Sequence, residues 1–205
     1  MTLKQVVNEI LDARRTMPPK RSVLTAISGI DAGGKGYFTV RLEAELLRQG
    51  VNVVAIGVDS WLNIDRFDPN DPAEHYYNNS IRFEEMFSGV VLPLRENRSL
   101  QVEINYADEL STEYERRTLN FQDVDVILLE GIYLLKRAFR PYYDRTVWID
   151  CSFETALHRA IARGQEGLPP EETTRDYRTI YNPAQRLHFQ CDEPEGRRRL
   201  LLIMI

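Results

Sequence analysis

ISGIDAGGKGYF, residues Ile27 to Phe38, is the stretch on which the fold turns. It places a glycine-rich turn between a β-rich segment, Ser22 to Ser28, and a helix-like one, Phe38 to Arg48. The spacing G-x-x-x-x-G-K-[ST] is met at Gly29, Gly34 and Lys35, and in that pattern small residues let backbone N–H groups wrap phosphates while the lysine ammonium reaches the terminal ones. Asp31, Ala32, Gly33, Gly36 and Tyr37 complete the expected cradle, which opens a helix whose N-terminal dipole also favours anions. Position 36 breaks the pattern: a Ser or Thr hydroxyl would hold Mg²⁺ there, and Gly36 has no side chain. Phosphate binding is therefore better founded than turnover.

Working outward, the strands alternate with helices. Val51 to Val58 reads as a parallel strand buried on both faces and ending at Asp59. Asp125 to Leu129 is another, ending at Glu130-Gly131, and Thr146 to Ile149 a further one, ending at Asp150. Val6, Val7, Ile10 and Leu11 predict an opening amphipathic helix stopped by Pro18-Pro19, and Ile81 to Phe87 a short helix. Asn63 to Asn79, rich in Asp, Asn and Pro, reads as a mobile loop, and Leu100 to Tyr106 with Tyr114 to Phe121 as a hairpin beside the sheet. Phe153 to Arg163, a Gly/Pro break at 164–170, and Glu171 to about Gln185 predict a helix, loop, helix lid. Leu200 to Ile205 is a last strand or chain end, with membrane anchoring the remote alternative. The expected architecture is α/β, one domain over residues 1–205, with a doubly wound parallel sheet and ligand at the carboxyl ends of its strands.

Composition narrows the class. With 205 residues and 43% apolar content the chain can bury one substantial core. A net charge of -5 argues against a general partner for nucleic acid or membrane surface, since both need a basic field. No apolar run approaches the roughly 20 residues that span a bilayer. Cys151 and Cys191 are far apart and fit neither a disulfide framework nor a zinc site, so a cytoplasmic protein is expected, with a homo-oligomer left open.

Phosphoryl transfer asks a protein to position phosphates, neutralise their charge and orient the attacking hydroxyl. Lys35 and the cradle supply the first two. Asp59 and Glu130 both end buried-type strands on the edge that carries the cradle, so they could converge on one Mg²⁺, with Asp59 also placed to take the acceptor's proton. Either alone could be a helix cap. Arg159 and Arg163 stand four apart before the Gly/Pro break and could swing toward a transferring phosphate, against the plainer reading of a solvated face, which Arg175 and Arg178 share. Trp61, His75, Tyr76, Tyr77 and Arg82 follow Asp59 and could line a pocket for a small-molecule substrate. His158 and His188 read as surface or packing residues.

At these positions the chain resembles the uridine kinase-like branch of the P-loop kinases. The likeness is carried by GIDAGGKG at Gly29 to Gly36, VDSW around Asp59, LLEGIYLL around Glu130 and LHRAIARG before the lid. It implies the three-layer P-loop NTPase fold and transfer of the ATP γ-phosphate to a hydroxyl of a nucleoside or sugar-like acceptor. Asp59 then takes the place of the catalytic acidic residue, Glu130 that of the metal-associated glutamate, and Arg159 and Arg163 look like lid arginines. Two departures stand out. Gly36 replaces the Mg²⁺-binding hydroxyl, which keeps alive a nucleotide-binding regulator with little or no transfer, and Leu62 stands where an aromatic residue is expected, which puts uridine itself in doubt.

Overall fold

A computed structural model describes residues 2–164, 167–194 and 200–204. Helix α1 (Leu3–Thr16) starts at a Thr2 cap whose side chain accepts from the Gln5 backbone N–H while the Gln5 side chain accepts from that of Thr2. This reciprocal arrangement satisfies two backbone donors that the first turn leaves unpaired. Val6, Val7, Ile10 and Ala13 form its buried face. Strand β1 (Val23–Gly29) leads through the glycine turn into α2 (Lys35–Arg48). Then come β2 (Val53–Gly57), α3 (Pro72–Asn79), α4 (Phe83–Met86) and α5 (Leu92–Asn97), the last two joined by a π-helical turn at Phe87–Val91. Strands β3 (Leu100–Tyr106) and β4 (Glu115–Phe121) form an antiparallel hairpin, as the sequence predicts.

Strands β5 (Val126–Gly131) and β6 (Arg145–Asp150) return to the main sheet. Helices α6 (Phe153–Arg163), α7 (Pro170–Asp176) and α8 (Asn182–Asp192) follow, with a π-helical turn at Tyr177–Tyr181 between the last two, and β7 (Leu200–Met204) closes the described chain. The sheet order is β2-β5-β1-β6-β7, parallel throughout. Leu200–Met204 is thus an edge strand beside β6, Ile205 lies outside the described residues, and no described helix is long and apolar enough to cross a membrane.

Alternation along the strands builds two cores. Val23 and Ile27 of β1, with Val126 and Leu128 of β5, face α1 and α2. Leu24 and Ala26, with Ile127 and Leu129, face the other layer, where Phe83, Met86 and Phe87 pack. Both faces of a central parallel strand are apolar because both are covered. Two expectations need correction. Strand β2 lies at the sheet edge, so Val54 and Gly57 are half-buried and Ala55 exposed rather than enclosed on both faces. The segment expected as a loop contains α3, because Asp71 accepts from the Glu74 backbone N–H and Pro72 fixes the first helical φ, local signals that outweigh the polar composition.

Two polar clasps hold helices in place, one to the sheet and one to each other. Arg95 of α5, buried, donates through Nη2 to Asp144 Oδ1 at 2.9 Å, and Asp144 Oδ2 accepts from the Leu24 backbone N–H at 2.9 Å. Asp192 at the end of α8 accepts from the Arg137 backbone N–H at 2.9 Å and from Tyr77 of α3 at 2.5 Å, and its Oδ2 lies 2.8 Å from His188 Nδ1. Burial alone would raise the Asp192 pKa, but these partners hold it down at about 2.

Replacing Arg95 with Met should cost about 3 kcal/mol, since it strands the Asp144 carboxylate in a nearly dry site. Urea unfolding of the variant against the parent protein measures this, and a loss under about 1 kcal/mol would mean that the clasp is solvated.

Candidate active site

The cradle follows from chain geometry. Gly34 caps α2 with φ at 98°, a left-handed conformation that side-chain-bearing residues rarely adopt. At Gly29 an added Cβ would sit 2.7 Å from the Ile149 carbonyl oxygen on β6, so the close approach of β1 and β6 admits only glycine. Lys35 is 7% exposed, and its Nζ donates to the Ile30 carbonyl at 2.9 Å. The ammonium therefore sits over the turn that it belongs to.

Register brings the acids to that turn. Glu130 pairs with Ile27 on one side and with Gly57 on the other, which puts it one strand away from the cradle and one away from the 3₁₀ turn Val58–Ser60 that carries Asp59. Asp59 opens into the cleft, yet protein dominates its surroundings: burial pushes its carboxyl pKa up, Lys35 and Arg163 pull it back, and Asp31 adds to the rise. Glu130 is raised likewise, first by burial, with Lys35 opposing and Asp59 and Asp31 reinforcing. Three carboxylates thus share one field with Lys35.

Two hollows meet at Lys35. The cradle-side one, about 350 Å³, is lined by Ala32, Gly34, Gly36, Tyr37, Glu130, Arg159 and Arg163. The other, about 250 Å³, runs under α3 and is lined by Leu62, Phe67 and Tyr76, with Tyr181 after α7. Asp31, Lys35, Asp59 and Glu109 border both. Arg159 Nη1 donates to the Gly33 carbonyl at 3.2 Å, tying α6 to the cradle. Tyr177 donates to Asp31 Oδ2, tying the turn after α7 to it as well. An added Cβ at Gly36 meets nothing within 4 Å.

Of the pocket residues expected from sequence, Tyr76 lines the second hollow and the others have different work. Trp61 is 1% exposed in the core and faces a separate hollow beside β2 and the hairpin. Arg82 pairs with Glu85 at 2.5 Å, donates to the Asn105 carbonyl and covers the Tyr114 ring, so it anchors the hairpin. His75 Nε2 lies 2.8 Å from the Asp65 carbonyl oxygen and staples the segment before α3. Tyr77 turns to the Asp192 clasp. His158 is exposed and His188 buried, as surface and packing residues should be. Residues not singled out from sequence, Arg66, Phe67, Glu109, Asp176 and Tyr181, complete the wall. The aromatic pair Tyr177 and Tyr181, four apart, was the one visible signal for them.

Glu130→Gln should stabilise the ligand-free protein at neutral pH. Its raised carboxyl pKa means that the folded state holds a proton more tightly than the unfolded chain, so its stabilising contribution is complete at low pH and lost as pH rises through the folded pKa. The variant's gain in Tm should be greatest near pH 8 and shrink as the pH falls toward 4, by differential scanning fluorimetry. A gain independent of pH would assign the effect to packing.

No family model matches the chain. A uridine kinase from Macrococcus caseolyticus is 27% identical over 178 residues, covering 83% of each chain. Among solved structures, one described as a possible uridine kinase from Bacillus stearothermophilus superposes with a TM-score of 0.69 at 18% identity, covering 98% of this chain and 100% of that one. A D-glycerate 3-kinase from Cryptococcus neoformans gives a TM-score of 0.69 at 14% identity, covering 99% and 94%. In sequence the chain is similar to uridine kinases, and in fold to these solved kinase structures.

Proposed function

We propose that the chain is an ATP-dependent kinase that phosphorylates a hydroxyl group of a small metabolite, a nucleoside or a sugar-like compound. The observation that carries this reading is the placing of the Lys35 ammonium between the glycine cradle and the two raised carboxylates, with a separate aromatic-walled hollow on its far side. The cradle amides and Lys35 bind the β and γ phosphates. Arg163, and Arg159 through its hold on Gly33, supply charge where it grows during transfer. Asp59 borders both hollows, so it is the group that can accept the acceptor's proton as its oxygen attacks. Burial raises its basicity for that task.

Asp59 and Glu130 are also the residues that would hold Mg²⁺. They fit it: both offer hard oxygen donors, and their mutual repulsion is what a divalent cation relieves. No larger cage of three or more Asp, Glu, His or Cys side chains forms among the described residues, which suits an ion that takes the rest of its shell from phosphates and water. When bound, the ion neutralises charge on the phosphates. Gly36 favours a second reading, a nucleotide-binding regulator with little transfer, because the usual hydroxyl ligand is missing.

Turnover separates the two. Incubation with ATP, Mg²⁺ and panels of nucleosides, sugars and vitamins should yield ADP coupled to one acceptor, whereas binding of ATP with transfer to none supports the regulator. Asp59→Asn should lower kcat by about 10² to 10⁴ and leave ATP affinity within a few fold; equal loss of both would remove Asp59 as base. Gly36→Ser fits sterically and should lower the Mg²⁺ concentration giving half-maximal rate, and an unchanged titration would show that the hydroxyl is not missed.

A further inference from the structure

We propose that the hollow under α3 selects a neutral or positively charged hydroxyl compound with a flat or apolar face, and rejects acceptors that carry a carboxylate or phosphate. This rests on the kinase reading and narrows it. Four acidic residues line the hollow, Asp31, Asp59, Glu109 and Asp176, with two basic ones, Lys35 and Arg66; Asp31 accepts from Tyr177, and Asp176 pairs with Arg175 at 3.1 Å. Neither cation is placed to meet an acidic acceptor. Lys35 is shared with the cradle-side hollow and belongs to the phosphates. The terminal nitrogens of Arg66 donate to the carbonyls of Asn63 at 3.2 Å and Glu109 at 2.7 Å, and its guanidinium lies 5.0 Å from the centre of the Phe67 ring. Arg159 and Arg163 open on the other hollow.

The wall agrees with the charge. Phe67 stacks on Tyr76 with ring centres 5.6 Å apart, and Tyr181 meets Tyr76 edge-on at 5.1 Å, so a continuous aromatic surface runs along one side, with Leu62 and Ile132 adding aliphatic area. Ring faces are negative and favour a cation or the flat face of a heterocycle. An anion entering here would meet like charge in a partly enclosed space where water screens poorly. Leu62, in the place of an expected aromatic, lines the hollow without adding a donor.

Isothermal titration of the full chain tests this with two sets of probes that differ mainly in charge: uridine, orotidine and 5-aminomethyluridine, then ribitol, ribonate and 1-amino-1-deoxyribitol, with glycerate and ribose 5-phosphate alongside. In at least one set the neutral or cationic member should bind tenfold or more tighter than the anionic one. Asp176→Asn should reduce the cation's advantage over the neutral compound. Equal or tighter binding of the anionic member, binding of glycerate or ribose 5-phosphate alone, or no binding by any probe would overturn the proposal. Phosphate transfer is scored separately: the expected binding order without transfer removes the kinase reading and leaves the charge selection standing, and rapid transfer to an anionic acceptor does the reverse.

Discussion

One ammonium group balances the site. Lys35 sits over the Ile30 carbonyl with Asp31, Asp59 and Glu130 in its field, and without it three carboxylates would crowd one sheet edge. The arrangement is costly for the ligand-free fold, because burial already disfavours the charged acids, and Lys35 offsets only part of that cost. On the proposed reading, stability is given up where a charged ligand would be received, a common trade at working sites. The surrounding structure supplies the rigidity that makes it tolerable: β1, β5 and β6 are buried on both faces, and Gly29 lets two of them approach more closely than any side chain would permit.

Much of this was legible in the sequence because it follows from periodicity and strand ends. Each strand of the main sheet was marked by an apolar run, and because parallel strands share direction, residues at their carboxyl ends had to gather, which joins Asp59 and Glu130 to Lys35 in the sequence itself. The hairpin was marked by two β-rich runs. Edge position was not legible, since Val53 to Gly57 reads as apolar as a central strand does. Helix α3 was hidden by composition, although Asp71-Pro72 is a start signal in its own right.

The pocket wall was harder to read, and the reason is physical. Beyond Asp31, Lys35 and Asp59, residues that line it come from the segment before α3, α3 itself, the hairpin tip, the turn after β5 and the segments from Leu168 to Tyr181, places with no common spacing. Trp61 and Arg82 had the chemistry of pocket residues, yet an indole is better placed in the core and a guanidinium found backbone carbonyls to bind. Proximity in sequence to Asp59 said little about facing the same hollow.

The π-helical turn at Tyr177–Tyr181 accommodates one more residue than an ordinary helical turn. Its effect is angular: one residue of α-helix corresponds to about 100° of rotation, so the wider turn sets the heading of everything beyond it. At its first residue Tyr177 reaches Asp31, and downstream it delivers Ala184, Gln185 and His188 to the interior. A chain shortened by a single position in this segment could keep one of those two alignments but not both, so the count of residues here is as binding as their identity.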